Sequence, residues 1–175
     1  KEAVARYELM AEQALMGIYN FSKPTLARIR GYCIGGGVNV AMSCDIRIAA
    51  DDSVFSIPAA RLGLGYRYSA LKNLVDLVGP AVITAEEARD VGLITRVCEV
   101  SRLDALELEY KQALAANAPI TVCAGKAIIQ EILKPSPEID HGLCRQLIKN
   151  CFESEDYAEG RRAFMEKRKP VFRGK

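Results

Sequence analysis

GYCIGGGVNVAMSCD, residues 31–45, sets three consecutive glycines between two apolar stretches. A flexible linker is also glycine-rich, but it is not flanked by Ile34 on one side and by Val38, Val40, Ala41 and Met42 on the other. Residues 25–34 mix Leu26, Ile29, Tyr32 and Ile34 with Arg28 and Arg30 and predict a strand, and residues 38–43 predict a short helix. A strand that ends in glycine and passes at once into a helix leaves helical N–H groups pointing out of the turn. Without side chains in the way, an anion can approach them.

Outward from this turn the pattern repeats. Residues 45–50 and 54–57 predict strands on either side of the turn Asp51-Asp52-Ser53. Strand, turn, helix and strand in that order is the grammar of an α/β domain with a largely parallel sheet. Upstream, residues 1–19 carry Val4, Leu9, Ala11, Leu15, Met16 and Ile18 near helical spacing, and Lys23-Pro24 ends that helix. The second half is helical. Thr84-x-x-Glu87 is a capping box whose helix Gly92 closes, and residues 93–100 predict one more strand. Ser101-x-x-Asp104 predicts the start of a helix that stops before Asn117-Ala118-Pro119, and the next runs to Leu133. A break at Lys134-Pro135-Ser136-Pro137 precedes a helix over residues 139–152, and Ser154 caps a last one reaching about Lys167.

Bulk properties narrow the function. A length of 175 residues with 50% hydrophobic content predicts one main globular domain. Twenty-four Lys and Arg against 22 Asp and Glu leave a net charge of +2, too balanced to call for a nucleic acid or a membrane surface as partner. Cations do gather in RRAFMEKRKPVFRGK, residues 161–175, which fits either a small anionic partner or a solvated helix end. The six cysteines form no C-x-x-C pair and several stand in apolar runs, as expected of a reducing, intracellular compartment, cytoplasmic or mitochondrial. A single histidine excludes a His-rich metal site, and no metal is expected. No apolar run reaches the roughly 18 to 20 residues of a membrane span, and residues 1–13 read as a helix under way, not as a secretory signal.

The anion at the glycine turn is a phosphate or a developing oxyanion. GGGVNV lacks the G-x-G-x-x-G spacing of a dinucleotide site. Gly125-Lys126 is followed by Ala127 and has no glycine five residues earlier, so it is no phosphate loop of the G-x-x-x-x-G-K-[ST] type. The oxyanion remains, beside the plainer reading of a tight packing turn.

KPTLARIRGYCIGGGVNVAMSCDIRIAADDSVFSIPAARLGLG (residues 23–65), LVGP (77–80), TAEEARDVGLITRV (84–97), NAPITVCAGKAII (117–129) and SEDYAEGRRAFMEKRKPVFRGK (154–175) together resemble, in family order, the crotonase or enoyl-CoA hydratase/isomerase superfamily. The resemblance implies an α/β fold with a β-β-α spiral core over residues 1–100. Over residues 101–175 it implies a helical trimerisation part that packs on a neighbour in a homotrimer or a hexameric dimer of trimers. It also implies acyl-CoA thioester chemistry through an enolate-like intermediate, with no cofactor beyond the coenzyme A carried by the substrate. The middle glycine of the family's GGG gives an oxyanion-hole N–H, here that of Gly36; loss of such a donor costs on the order of 3 kcal/mol in the transition state. Phe164 and Lys167 match family positions near the CoA nucleotide of an adjacent subunit; the plainer readings are a core side chain for Phe164 and a solvated helix end for Lys167. The family's second oxyanion donor and its A-x-S-x-G-x-D-like segment belong to an N-terminal part with no counterpart in these residues. Between LVGP and TAEEA, only Ala81, Val82 and Ile83 stand where the family has a further helical turn or two. The residues are therefore expected to be parts of a longer protein.

The same resemblance exposes a departure. Hydratases of the family carry one glutamate two residues after the GGG and another right after the proline of F-x-x-P, where this chain has Asn39 and Ala59. Neither can take up or release a proton, and hydration needs groups that do. Where the family's dienoyl isomerases place an aspartate, this chain has Arg67. The expectation is thus an enoyl-CoA hydratase/isomerase-like lyase or isomerase without the glutamate pair. The loop RLGLGYRYS, residues 61–69, offers a different chemistry near the acyl end: decarboxylation of a malonyl-type acyl-CoA, with Arg61 or Arg67 holding the departing carboxylate and Tyr66 or Tyr68 supplying a proton. Surface pairing for the arginines and packing for the tyrosines are the plainer readings. Hydrolysis or isomerisation assisted by Asn39 and a water is also open, as is a non-catalytic acyl-CoA-binding or structural role. His141 reads as a surface residue and Asp45 as a partner for backbone N–H groups. Apolar neighbours of Cys33 and Cys44 argue against a low thiol pKa.

Overall fold

The computed structural model describes residues 2–57 and 83–175. They fall into two compact units: Lys1–Phe21 with Thr25–Leu108, and Ser22–Pro24 with Glu109–Lys175.

In the first unit, helix α1 (Glu2–Tyr19) precedes strands β1 (Leu26–Ile29) and β2 (Tyr32–Ile34), helix α2 (Gly36–Ser43), and strands β3 (Ile46–Ala50) and β4 (Val54–Ser56). Strand β5 (Ile83–Thr84), helix α3 (Ala85–Asp90), strand β6 (Arg96–Cys98) and a 3₁₀ turn (Val100–Arg102) lead into helix α4 (Leu103–Ala115), which belongs to the first unit up to Leu108 and to the second from Glu109. The strands make two three-stranded sheets, β1-β3-β6 and β2-β4-β5. The first is parallel throughout, with Leu26 opposite Ile46 and Ile48 opposite Arg96. In the second, β2 runs parallel to β4, with Tyr32 opposite Val54, and β5 runs antiparallel to it. The chain therefore steps from the first sheet (β1) to the second (β2), passes through α2, and repeats the step with β3 and β4. That is one turn of a β-β-α spiral followed by the start of another.

Two sheets replace the single one that the strand pattern predicts, and the strand expected over residues 25–34 is two strands in different sheets. Gly31, at φ 66°, makes the break. Its N–H donates to Asp52 Oδ1 at 3.2 Å and its carbonyl accepts the Val54 N–H at 3.1 Å, so this corner is held by the equivalent corner of the next spiral turn. A two-residue strand such as β5 is too short to show periodicity. The strand expected over residues 93–100 shrinks to Arg96–Cys98 because the Leu93 and Ile94 N–H groups both donate to Ala88 O, finishing α3 behind Gly92 at φ 81°. The Thr84–Glu87 capping box forms in both directions. The helix that Ser101-x-x-Asp104 predicts begins at Leu103, with Ser101 Oγ donating to Glu99 and Asp104 paired with Arg28.

The core of this unit gathers Ile29, Cys33, Val38, Phe55, Leu93 and Ile94 with small alanines from β3, α2 and α3. Polar residues fix its edges. Asp45 Oδ2 accepts from Thr25 N at 2.7 Å and from Thr25 Oγ1 at 2.9 Å, aligning the starts of β1 and β3 as the backbone-satisfying role predicts. Arg47 donates to Leu93 O and Cys44 O, both at 2.6 Å, and burial lowers its pKa.

The second unit holds α5 (Pro119–Ile132), a 3₁₀ turn (Ser136–Glu138), α6 (His141–Phe152) and α7 (Glu155–Met165). Pro119 takes the first helical position, where no N–H is needed. Asp140 caps α6 through Leu143 N, and Ser154 caps α7 through Tyr157 N. Glu131 spans the proline break, pairing with Lys134 and accepting Asp140 N at 2.9 Å. Lys126 Nζ donates to Lys23 O at 3.1 Å and so ties residues 22–24 to α5. Among the described residues no helix is long and apolar enough to cross a membrane.

Candidate active site

The glycine turn is built from both ends. Gly35 N donates to Ser56 O at 2.8 Å, pinning the turn to the end of β4, and Gly35 O accepts from Val38 N at 3.1 Å and Asn39 N at 3.3 Å, which starts α2. Helix α2 begins two residues before the predicted position, so Gly36 and Gly37 supply its first two N–H groups. An α-helix leaves those donors without intrahelical acceptors, at the positive end of its dipole.

The three glycines are needed for different reasons. Gly35 sits at φ 55° and ψ −115°, a backbone that side chains rarely tolerate. Gly36 has no such constraint, and a Cβ there would meet nothing within 4 Å among the described residues. At Gly37 a Cβ would stand 3.8 Å from Cys33 Sγ, an ordinary contact. Among the described residues, a tight packing turn therefore accounts for Gly35 but not for Gly36, whose bare Cα meets no neighbour beside a first-turn N–H with no acceptor. That arrangement can take a hydrogen-bond acceptor that gains negative charge.

Asn39 follows Gly36 by three residues on α2 and so shares its face. It is half-buried, and its carbonyl accepts Ser43 Oγ at 2.9 Å. Cys33, behind the turn, is buried, and loss of solvation raises its pKa to about 11, in keeping with the expected inert thiol. Cys44 Sγ points its weak donor at Val40 O. Ala59, Arg61, Tyr66, Arg67, Tyr68 and Ser69 lie outside the described residues. Among the described residues no cluster of His, Cys, Asp and Glu could hold a metal ion, and His141 is an exposed residue at the start of α6.

In the second unit, Thr121, Phe152, Tyr157, Arg161, Phe164 and Phe172 line a cleft of about 470 Å³. Phe152 and Tyr157 meet edge to face at 5.1 Å, and the Arg161 guanidinium lies 5.8 Å over the Tyr157 ring. Phe164 is 83% exposed, which overturns its reading as a core side chain: α7 buries Asp156 and Ala163 and turns Phe164 outward. Lys167 stands at φ 53°, the one non-glycine residue with positive φ among those described. Its N–H donates to Phe164 O at 3.2 Å and the Arg168 N–H to Ala163 O at 3.0 Å, the paired bonds of a Schellman helix end with lysine where glycine is usual.

Beyond that turn the chain folds back along α7. Asp156, buried, accepts Arg173 N at 2.7 Å and Gly174 N at 2.8 Å. Glu159 accepts from Arg168, Arg162 and Val171 N, and these donors, Arg168 foremost, hold its carboxyl well below the ordinary range. Sequence reasoning missed Glu159 and the cleft. The Glu159–Arg162 spacing is a visible helical pair, but Arg168 and Val171 reach the carboxylate only through the chain reversal at Lys167.

Comparison with known proteins gives a consistent result. The sequence profile of the enoyl-CoA hydratase/isomerase family matches residues 1–175. A short-chain-enoyl-CoA hydratase of Clostridium acetobutylicum is 29% identical over 174 residues, covering 94% of this chain and 67% of the relative. A carnitinyl-CoA dehydratase of Escherichia coli O157:H7 is 31% identical, covering 92% of this chain and 67% of the relative. Among solved structures, an enoyl-CoA hydratase/carnithine racemase from Magnetospirillum magneticum matches with a TM-score of 0.90 at 29% identity, covering 100% of this chain and 68% of its own. An enoyl-CoA hydratase from Bacillus anthracis matches with a TM-score of 0.91 at 26% identity, covering 100% and 72%. The chain thus spans about two thirds of the length of these relatives.

Proposed function

The chain belongs to the enoyl-CoA hydratase/isomerase family, and on that premise we propose that it works on an acyl-CoA thioester by stabilising an enolate at the Gly36 N–H. The observation that carries this reading is the combination at Gly36: a first-turn helix donor, no backbone need for glycine, and open space on the Cα. When water adds to the β-carbon of an enoyl thioester, an electron pair moves onto the thioester oxygen, and a donor fixed at that point favours the transition state over the ground state. The hydratase and dehydratase names of the relatives support a lyase-type reaction of this kind.

Asn39 gives the reading its particular form. An amide donates and accepts hydrogen bonds but transfers no proton at neutral pH, so Asn39 orients water or substrate beside Gly36 and a group elsewhere moves the proton. Ala59 supplies no acid either. The nucleotide end of coenzyme A is assigned to Phe164 and Lys167 of a neighbouring copy in a trimer or dimer of trimers. An exposed ring beside an aromatic cleft offers a stacking face for a purine, and the lysine offers a charge for a phosphate. The six free thiols support a reducing, intracellular setting.

Hydration of crotonyl-CoA by the purified protein, followed at the loss of enoyl absorbance with CoA binding measured on the same sample, tests this. Binding with slow hydration is expected. Hydration at ordinary enzyme rates would show that an acid outside the described residues replaces the glutamate pair. Binding with no hydration, but with release of CO₂ from malonyl-CoA, would favour the decarboxylase. Binding without turnover of either would leave an acyl-CoA-binding member, and failure to bind CoA would overturn the reading.

A further inference from the structure

Lys167 occupies a left-handed turn that a side chain disfavours, and such a conformation persists only where its surroundings fix it. The two helix-end hydrogen bonds fix the backbone on the α7 side of the turn. On the other side the contacts converge on one carboxylate. Arg168 Nη1 donates to Glu159 Oε1 at 2.6 Å and Nη2 to Oε2 at 3.0 Å, a two-pronged pair, while Val171 N donates to Oε1 at 3.0 Å. Arg162, a turn along α7, donates to Oε2 at 2.6 Å, and Arg168 Nε is held by Glu166 at 2.5 Å. Glu159 itself is only 12% exposed, so this pair is shielded where most ion pairs of the helix surface are not.

We propose that Glu159 is the positioning residue for the nucleotide end of coenzyme A: by gripping Arg168 and Val171 it fixes the turn on which Lys167 stands and the start of the segment that carries Phe172. The second consequence is visible at Gly160, where a Cβ would lie 3.6 Å from the Phe172 ring, so the residue after Val171 packs directly on α7 beside Glu159. Phe172 and Phe164 are both walls of the aromatic cleft. One carboxylate thus preorganises a cation and an aromatic wall on either side of a chain reversal, removing ordering cost from binding. The proposal rests on the assignment of Lys167 to coenzyme A, and its test separates the two.

Dissociation constants for CoA are measured by calorimetry on the full chain for the wild type, Glu159→Gln, Lys167→Ala and the double variant, with thermal unfolding recorded for each. Lys167→Ala is expected to weaken CoA by about tenfold and Glu159→Gln by about three- to tenfold, the size of a single contact and of its preorganisation. The double variant is expected to lose less affinity than the two single losses combined, because part of the Glu159 effect is exerted through the Lys167 ammonium and only the part exerted through Phe172 remains once that ammonium is gone. A carboxylate that merely strapped the chain down would lower the unfolding midpoint and add its effect independently, and additivity overturns the proposal. Unchanged CoA affinity in folded Glu159→Gln and Glu159→Ala overturns it too, while leaving Lys167 in place if Lys167→Ala weakens binding. If Lys167→Ala has no effect, the assignment of Lys167 falls and the positioning role falls with it.

Discussion

Gly35 at the head of α2 and Lys167 at the foot of α7 stand at nearly the same φ, 55° and 53°, yet one carries no side chain and the other a long cation. Both turns cap a helix, one at the donor end and one at the acceptor end. The contrast follows from which part of the residue is used. At α2 the functional group in our reading is the backbone N–H of Gly36, so side chains are removed and the positive-φ turn at Gly35 costs little. At α7 the side chain is the functional group in our reading, so the turn keeps a lysine that the backbone disfavours, and Glu159 and Arg168 stabilise the conformation from outside.

The strongest way to break the comparison is to delete the backbone donor. Gly36→Pro removes the N–H at a first helical position where proline is accepted, so the fold should survive while turnover of the thioester substrate falls by about 10²–10³. A loss below about threefold, with native circular dichroism, would show that this N–H does not meet the developing charge.

The next effect is on stability and sharpens the comparison between the two turns. Gly35→Ala places a methyl at φ 55° and ψ −115°, a sparsely populated backbone region, and should destabilise by about 1–3 kcal/mol in denaturant unfolding. Lys167→Gly should do the opposite, gaining about 0.5 kcal/mol once the entropy of glycine in the unfolded chain is set against the relieved turn, while weakening CoA. If Lys167→Gly destabilises instead, the lysine is kept there by its packing.

The smallest effect concerns the buried thiol behind the glycine turn. Cys33 is neutral when folded up to about pH 11 because burial disfavours the thiolate, whereas an unfolded thiol ionises near 9.0. The unfolded state therefore releases its proton first, and stability falls as pH rises through that interval. Thermal unfolding of the wild type should show this decline between those two pH values, and Cys33→Ala should flatten it; an unchanged slope would place the pH dependence elsewhere.

Much of the fold is legible along the chain because it rests on local signals. The Thr84–Glu87 box and the Ser154 cap each need only a few consecutive residues, and both form as their spacing predicts. Residues 25–34 read as one strand because Gly31 looks harmless between apolar residues, and only Asp52 and Val54, more than twenty positions on, show that the chain changes sheet there. Of the residues proposed to act, Gly36, Asn39, Phe164 and Lys167 are visible as residue types in a family order. The outward face of Phe164 is not, since an amphipathic helix end reads the same whether its phenylalanine packs inward or stands free.

The sequence by itself determined the family, the helix starts capped by Thr84 and Ser154, and the identity of Asn39 at a position where a proton-transferring acid is expected, because each is a matter of residue type and short spacing. The tertiary structure alone decided that the strands divide between two sheets, that Gly35 is conformational while Gly36 is open, and that Glu159 grips the chain beyond Lys167. Those depend on backbone angles and on contacts between residues that only the folded path brings together.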